Sequence, residues 1–233
     1  MSRLSITWLG HATFVIVTPG GKRIVTDPWL EGNPACPADK KKIDAADLIL
    51  LTHGHSDHSG DVVNVARATN APVVAVHELS LWLQQKGLKD VVGMGVGGTV
   101  TVAGLQVSMV PAVHTSSVVE DDRIIYLGVP VGFVVRMEDE RAFYFAGDTA
   151  LFGDMRLIGE MHKPEIGFLP IGDHYTMGPD AAARAAALVG VRQIVPMHFG
   201  TFPVLTGTPD RLKHLVEPAG VDVLVLKPGE TAS

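Results

Sequence analysis

Asp47-Leu48-Ile49-Leu50-Leu51-Thr52-His53-Gly54-His55-Ser56-Asp57-His58 is the stretch that decides how this chain folds and what it holds. A mostly apolar run that reads as a buried strand passes directly into three imidazoles and a carboxylate. Alternate side chains of extended backbone point the same way, so His53 and His55 can face one metal ion together. Asp57 and His58 follow where the chain turns towards a helix, and can face a second ion. Imidazole and carboxylate are the ligands that zinc and its borderline neighbours take. The competing reading is a histidine-rich surface loop. The rest of the chain bears against it.

Working outward, the same punctuation recurs. Strands are expected over 4–9, 13–18 and 23–26, with Pro19-Gly20-Gly21 as a hairpin turn, then over 48–52 and 71–76. Helices are expected over about 60–69 and over 78–86. The second half continues with strands over 99–102, 105–110, 131–137, 142–145, 166–170, 193–195 and 221–225, and a helix over 179–188. His114, Asp148 and His198 each stand just past an apolar strand, as the His53 loop does. Four strands delivering ligand-type residues at their ends point to one edge of a rigid scaffold. Two β-rich halves with helices, without a repeat between them, predict two sheets packed face to face with helices outside.

Composition narrows the function. At 233 residues, with 46% apolar residues, one globular domain over 1–233 is expected, with a large core. No apolar stretch is long enough to span a bilayer, and Met1-Ser2-Arg3-Leu4-Ser5-Ile6 lacks the basic and apolar regions of a secretory leader. The single cysteine, Cys36, cannot form an internal disulfide, which fits the cytoplasm. A net charge of −6 argues against nucleic acid as a partner, and Lys40-Lys41-Lys42 reads as a solvated loop face. Gly93, Gly95, Gly97 and Gly98 form no phosphate loop, because no strand-to-helix glycine motif frames them. His77, His162 and His214 lie on or beside helical segments without ligand context.

His-x-His-x-Asp-His after a strand, followed in order by His114, Asp148 and His198, resembles the metallo-β-lactamase superfamily over the whole chain. Trp8-Leu9-Gly10-His11-Ala12, Thr26-Asp27-Pro28-Trp29 and Gly172-Asp173-His174-Tyr175-Thr176-Met177-Gly178-Pro179 make it similar to the metal-dependent hydrolase branch related to L-ascorbate-6-phosphate lactonase. The resemblance implies a four-layer αββα sandwich of α/β class. It implies a first metal position at His53, His55 and His114, a second at Asp57, His58 and His198, and Asp148 bridging both. Zinc is the first expectation for the two divalent ions, and manganese or iron also suit the ligand set. The implied chemistry is hydrolysis of a small ester, lactone or phosphoester by a metal-bound hydroxide, with Asp57 orienting the nucleophile. Phospholipase D-like cleavage of N-acyl phospholipids, a mono-iron persulfide-type oxygenase and a non-catalytic metal-binding sensor are the alternatives. No amphipathic basic helix suggests stable membrane association, and the resemblance admits a homo-oligomer.

Around the candidate ligands, His11 reads either as a buried structural imidazole or as a group that acts on the substrate or supports a ligand, and the branch resemblance favours the latter. Asp27 reads as a turn residue or as a carboxylate orienting a ligating histidine. Asp173 and His174 either cap the helix beginning near Pro179 or contact substrate, and His174 is favoured as a donor to the developing charge or the leaving group. Tyr175 and Thr201 are candidates to contact substrate or support the ligands, and Phe199, Thr201 and Phe202 read either as pocket walls or as apolar packing.

Overall fold

The computed structural model describes residues 4–233, so the Met1–Arg3 part of the stretch read for a leader lies outside the described residues. The chain order is β1 Ser5–Trp8, β2 Phe14–Val17, β3 Arg23–Thr26, β4 Leu48–Leu50, α1 Ser56–Ser59, α2 Val62–Thr69, β5 Val73–Val76, α3 His77–Gln85 and β6 Val91–Met94. It continues with β7 Thr99–Val102, β8 Leu105–Pro111, β9 Ser117–Glu120, β10 Arg123–Tyr126, β11 Val131–Arg136 and β12 Ala142–Phe145. The last elements are α4 Met155–His162, β13 Ile166–Pro170, α5 Pro179–Val189, β14 Gln193–Met197, α6 Pro209–Val216, β15 Asp222–Val223 and β16 Thr231–Ala232.

One seven-stranded sheet has the order β16-β1-β2-β3-β4-β5-β6, and the other β15-β14-β13-β12-β11-β8-β7. Helix α3 packs on β5 and β6, and α5 packs on β13 and between α4 and α6, giving the αββα sandwich. The sheets meet through aromatic rings. Phe14 of β2 lies 5.0 Å from Phe168 of β13, edge to face, and Phe145 and Phe133 are buried beside them. The core strands carry near-continuous apolar runs because both of their faces are covered.

Strand direction places the site. β1 is antiparallel to β2 and β2 to β3, while β3 and β4 are parallel. β1, β3 and β4 therefore run the same way, and the residues after them, His11, Asp27 and His53, share an edge. β8 is antiparallel to β11 and β11 to β12, whereas β12, β13 and β14 are parallel. His114, Asp148, His174 and His198 follow the ends of these co-directional strands. Cross-sheet hydrogen bonds join the two edges: Val131 N donates to Thr52 O (3.1 Å) and His198 N to His11 O (3.0 Å).

Some expectations needed correction. The helix expected from about residue 60 begins earlier, at Ser56, and is broken at Gly60 into α1 and α2, so Asp57 and His58 sit inside helical backbone. The β9–β10 hairpin carries no glycine at its turn. Asp121 and Asp122 take the left-handed backbone (φ +48° and +59°) that such a turn needs, so the usual signal is missing. Strand β6 and helices α4 and α6 also lie outside the elements expected from the sequence. Of the four glycines read as a turn, Gly93 belongs to β6.

Candidate metal centre

The centre is built on tight turns. After β1, Leu9 N donates to Thr13 O and Thr13 N to Gly10 O, reversing the chain around His11. His11 adopts φ +56°, Asp27 +38° and His198 +55°, left-handed conformations that are costly for residues with a side chain. The surroundings enforce them. The His11 carbonyl accepts from both His198 N and Trp8 Nε1, and Thr13 Oγ1 donates to Asp27 O at 2.7 Å. Gly147, just before Asp148, has φ +62°, and a Cβ there would lie 2.8 Å from Thr52 Cβ. Only glycine lets the two strand ends approach this closely.

Three imidazoles, His53, His55 and His114, bring ring nitrogens within 4.8 Å of one another. Burial holds all three below the ordinary imidazole value, so they are neutral donors at neutral pH. A second group, His11, Asp57, His58 and His198, meets the same distance criterion. Buried Asp148 lies between them: Oδ2 is 3.0 Å from His198 Nε2, 3.7 Å from His114 Nε2 and 4.0 Å from His53 Nε2, and Oδ1 is 3.3 Å from His58 Nε2. Burial works against its charge, but His198 and His58 hold Asp148 well below the usual carboxylate range.

Asp27 organises both groups from below. Its Oδ2 meets His58 Nδ1 at 2.8 Å and accepts from Thr52 Oγ1 at 2.7 Å, while Oδ1 accepts from Thr52 N at 2.8 Å. Thr52 Oγ1 also lies 3.0 Å from His53 Nδ1. One fully buried carboxylate thus fixes His58 directly and His53 through Thr52. Burial raises the Asp27 carboxyl, with the His58 contact opposing it. Burial would also strip the proton from His58, but Asp148 and Asp27 on either side raise it well above the usual imidazole range.

His11 joins the second group from the opposite wall. Its Nδ1 lies 3.0 Å from Thr201 Oγ1, and its Nε2 lies 3.2 Å from Asp57 Oδ2. Burial pushes His11 down to about 4, so it is neutral. Asp57 is the most solvated member. Partial burial would raise it, but the facing His11 and the His58 charge carry it well below the carboxylate range. The rings of Trp29 and Phe202 pack around His11 at 5.3 and 5.6 Å.

The donor set fits divalent ions. Among the described residues, His11 Nε2, His58 Nε2, Asp148 Oδ1 and His198 Nδ1 are buried without a hydrogen-bond partner. Orphaned buried atoms of this kind are costly unless something satisfies them. Two of them, His58 Nε2 and Asp148 Oδ1, face each other at 3.3 Å, and His11 Nε2 faces Asp57 Oδ2 at 3.2 Å, as ligands of a common ion do. Imidazole nitrogens with two ionised carboxylates match zinc, manganese or iron(II).

A cleft of about 620 Å³ opens onto this centre, lined by His55, Asp57, His114, Asp148 and His198 together with Ser56, Thr115, Ser117, Val118, Val119 and Tyr175. Asp173 and His174 take left-handed backbone and are exposed. Asp173 Oδ1 accepts from His174 N, and the His174 ring packs edge-on against Tyr175, 4.4 Å away. Neither caps α5, whose first turn is preceded by Gly178. The stacking of Phe199 on Trp8 at 4.9 Å is apolar packing. Sequence reasoning missed Thr52 and the hairpin valines. Thr52 ends an apolar run like many threonines, and nothing local marks its link to Asp27.

A family model described as "Beta-lactamase superfamily domain" matches residues 22–199. The chain is 50% identical over 230 residues to a metal-dependent hydrolase of Koribacter versatilis, covering 99% of this chain and 98% of that one. It is 47% identical over 236 residues to a metal-dependent hydrolase of Roseiflexus castenholzii, covering 98% and 97%. Among solved structures it is similar to a metallo hydrolase of the archaeon Ignicoccus hospitalis, with a TM-score of 0.86, 37% identity and 98% and 97% coverage.

Proposed function

The chain belongs to the metallo-β-lactamase superfamily and is a metal-dependent hydrolase; we propose that it holds two divalent ions and uses them to hydrolyse a small ester, lactone or phosphoester. The observation that carries this is the pair of groups, one of three imidazoles and one of three imidazoles and a carboxylate, flanking the buried Asp148, whose partnerless Oδ1 faces the partnerless His58 Nε2 at 3.3 Å. We assign His53, His55 and His114 to one ion, Asp57, His58 and His198 to the other, and Asp148 to both. His11 Nε2, which meets the second group, either completes that position or orients Asp57. Zinc is the first choice, with manganese or iron compatible. When bound, such ions supply Lewis acidity and a water that ionises near neutral pH.

The remaining work belongs to the chain's own groups. Ionised Asp57, open to the cleft, accepts a hydrogen bond from the attacking water and aims its lone pair at the scissile centre. Neutral His11, held by Thr201, keeps Asp57 in place. Asp27 and Thr52 fix the ring planes of His58 and His53, so ligand geometry is set before substrate arrives. His174, exposed and packed on the cleft residue Tyr175, is assigned to the leaving portion of the substrate. The reading is of a single domain in the cytoplasm acting on a small molecule, not on nucleic acid. Among the described residues no helix is long and apolar enough to cross a membrane.

The test is elemental analysis of protein purified without added metal, paired with turnover of a lactone, a carboxyl ester and a phosphodiester. Two equivalents of zinc or manganese are expected, with hydrolysis of at least one substrate abolished by chelator and restored by the ion. One equivalent of iron without hydrolysis would overturn the reading.

A further inference from the structure

The cleft also carries information about what the ions act on. Apart from the Tyr175 phenol, every ionisable side chain on its lining is one of the imidazoles or carboxylates assigned to the ions. Beyond them the wall consists of three hydroxyl side chains, Val118, Val119 and the Tyr175 ring. A charged arm of a substrate would be drawn out of water against this wall without a fixed partner, which is costly. An apolar arm gains by the same transfer.

The β9–β10 hairpin extends the wall. Cross-strand pairing sets Val119 opposite Ile124 and Ser117 opposite Tyr126, and alternation puts all four on one face. That face is open: Val119 is 71% exposed, Ile124 78% and Tyr126 66%. Single exposed apolar residues are ordinary, but a contiguous row adjoining a ligand cleft marks a binding surface. The hairpin is also held in place. Val118 and Ile125, on its other face, pack against the core, and Glu120 accepts from Trp82 Nε1 at 2.9 Å and pairs with Lys86 at 2.6 Å.

We propose that the preferred substrate is an uncharged ester with an apolar arm, and that the β9–β10 hairpin with Tyr175 is the surface that selects it. This rests on the hydrolase reading above and narrows it. The test uses the metal-loaded full chain on p-nitrophenyl acetate, butyrate and hexanoate, with the mono-p-nitrophenyl ester of adipate as a hexanoate analogue ending in carboxylate. We expect kcat/KM to rise by up to about fourfold per added methylene, the factor for transferring one CH2 from water. The adipate ester should fall at least about tenfold below hexanoate. Val119→Lys, at an exposed position that tolerates the change, should flatten the series and narrow the gap between the two six-carbon esters. A flat or falling series, or preference for the carboxylate ester, with acetate still cleaved, would overturn the selectivity alone. Cleavage confined to a phosphodiester would do the same and leave the hydrolase standing. Absence of all hydrolysis would remove both.

Discussion

At the scale of the residue, Asp27 has the largest effect for its size. Its two oxygens serve Thr52 N, Thr52 Oγ1 and His58 Nδ1 inside a fully buried pocket. Asp27→Ala removes the carboxylate from all three, leaving Thr52 N and His58 Nδ1 without it in a buried site, and should destabilise the metal-free protein by about 3–5 kcal/mol in urea unfolding. Asp27→Asn keeps the shape but weakens the polarisation of His58, and should lower metal affinity about 10- to 100-fold in a competitive chelator titration. Unchanged affinity in the Asn variant would mean that His58 is positioned by packing alone. The sequence offered Asp27 as either turn residue or orienting carboxylate, and the two are compatible: it follows β3 in a left-handed turn and reaches His58 from there. Thr52 was illegible because its importance lies in contacts with Asp27, 25 residues away.

At the scale of the element, the site depends on how closely the ends of β4 and β12 approach. Gly147 follows β12 by two residues, and its missing side chain leaves the room that Thr52 fills. Gly147→Ala meets both a positive φ and Thr52 at 2.8 Å, and should cost more than about 1 kcal/mol in unfolding while loosening retained metal. A variant with the parent's unfolding midpoint and metal content would show that the strand ends have slack. Elements with strong periodicity were legible: β2, β3, β5, α3 and α5 lie where apolar spacing and turn residues put them. The β9–β10 hairpin was not, because Val119, Ile124 and Tyr126 face outward and its turn is Asp-Asp. Its exposed apolar face carries little of the core and is accounted for by the cleft beside it.

At the scale of the whole molecule, the buried imidazoles couple stability to protons and to metal. His11, His53, His55 and His114 are held below the ordinary value by burial, so on acidification the unfolded chain takes up their protons first. Their stabilisation is complete above about pH 6.5 and is lost as pH falls below it. His58, raised by Asp148 and Asp27, has the opposite sign: its contribution is present at low pH and fades as pH rises through its raised value. Four lowered groups outweigh one raised group. The chelated protein should therefore melt at lower temperature at pH 5 than at pH 7.5 in calorimetry; a higher melting temperature at pH 5 would contradict the neutral state of the four. The sequence by itself determined the types of the candidate ligand residues, their order and their place at strand ends, because strand periodicity and side-chain chemistry are local properties. It determined the layered class for the same reason, since runs buried on both faces and helices between them pack in few ways. Only the tertiary structure decided that β1, β3 and β4 present their ends to those of β8, β12 and β14. It also decided that one carboxylate, Asp27, touches His58 directly and His53 through Thr52, and that the cleft is flanked by an apolar hairpin face. These are contacts between residues far apart in the chain, fixed by sheet direction and packing, to which no local pattern is bound.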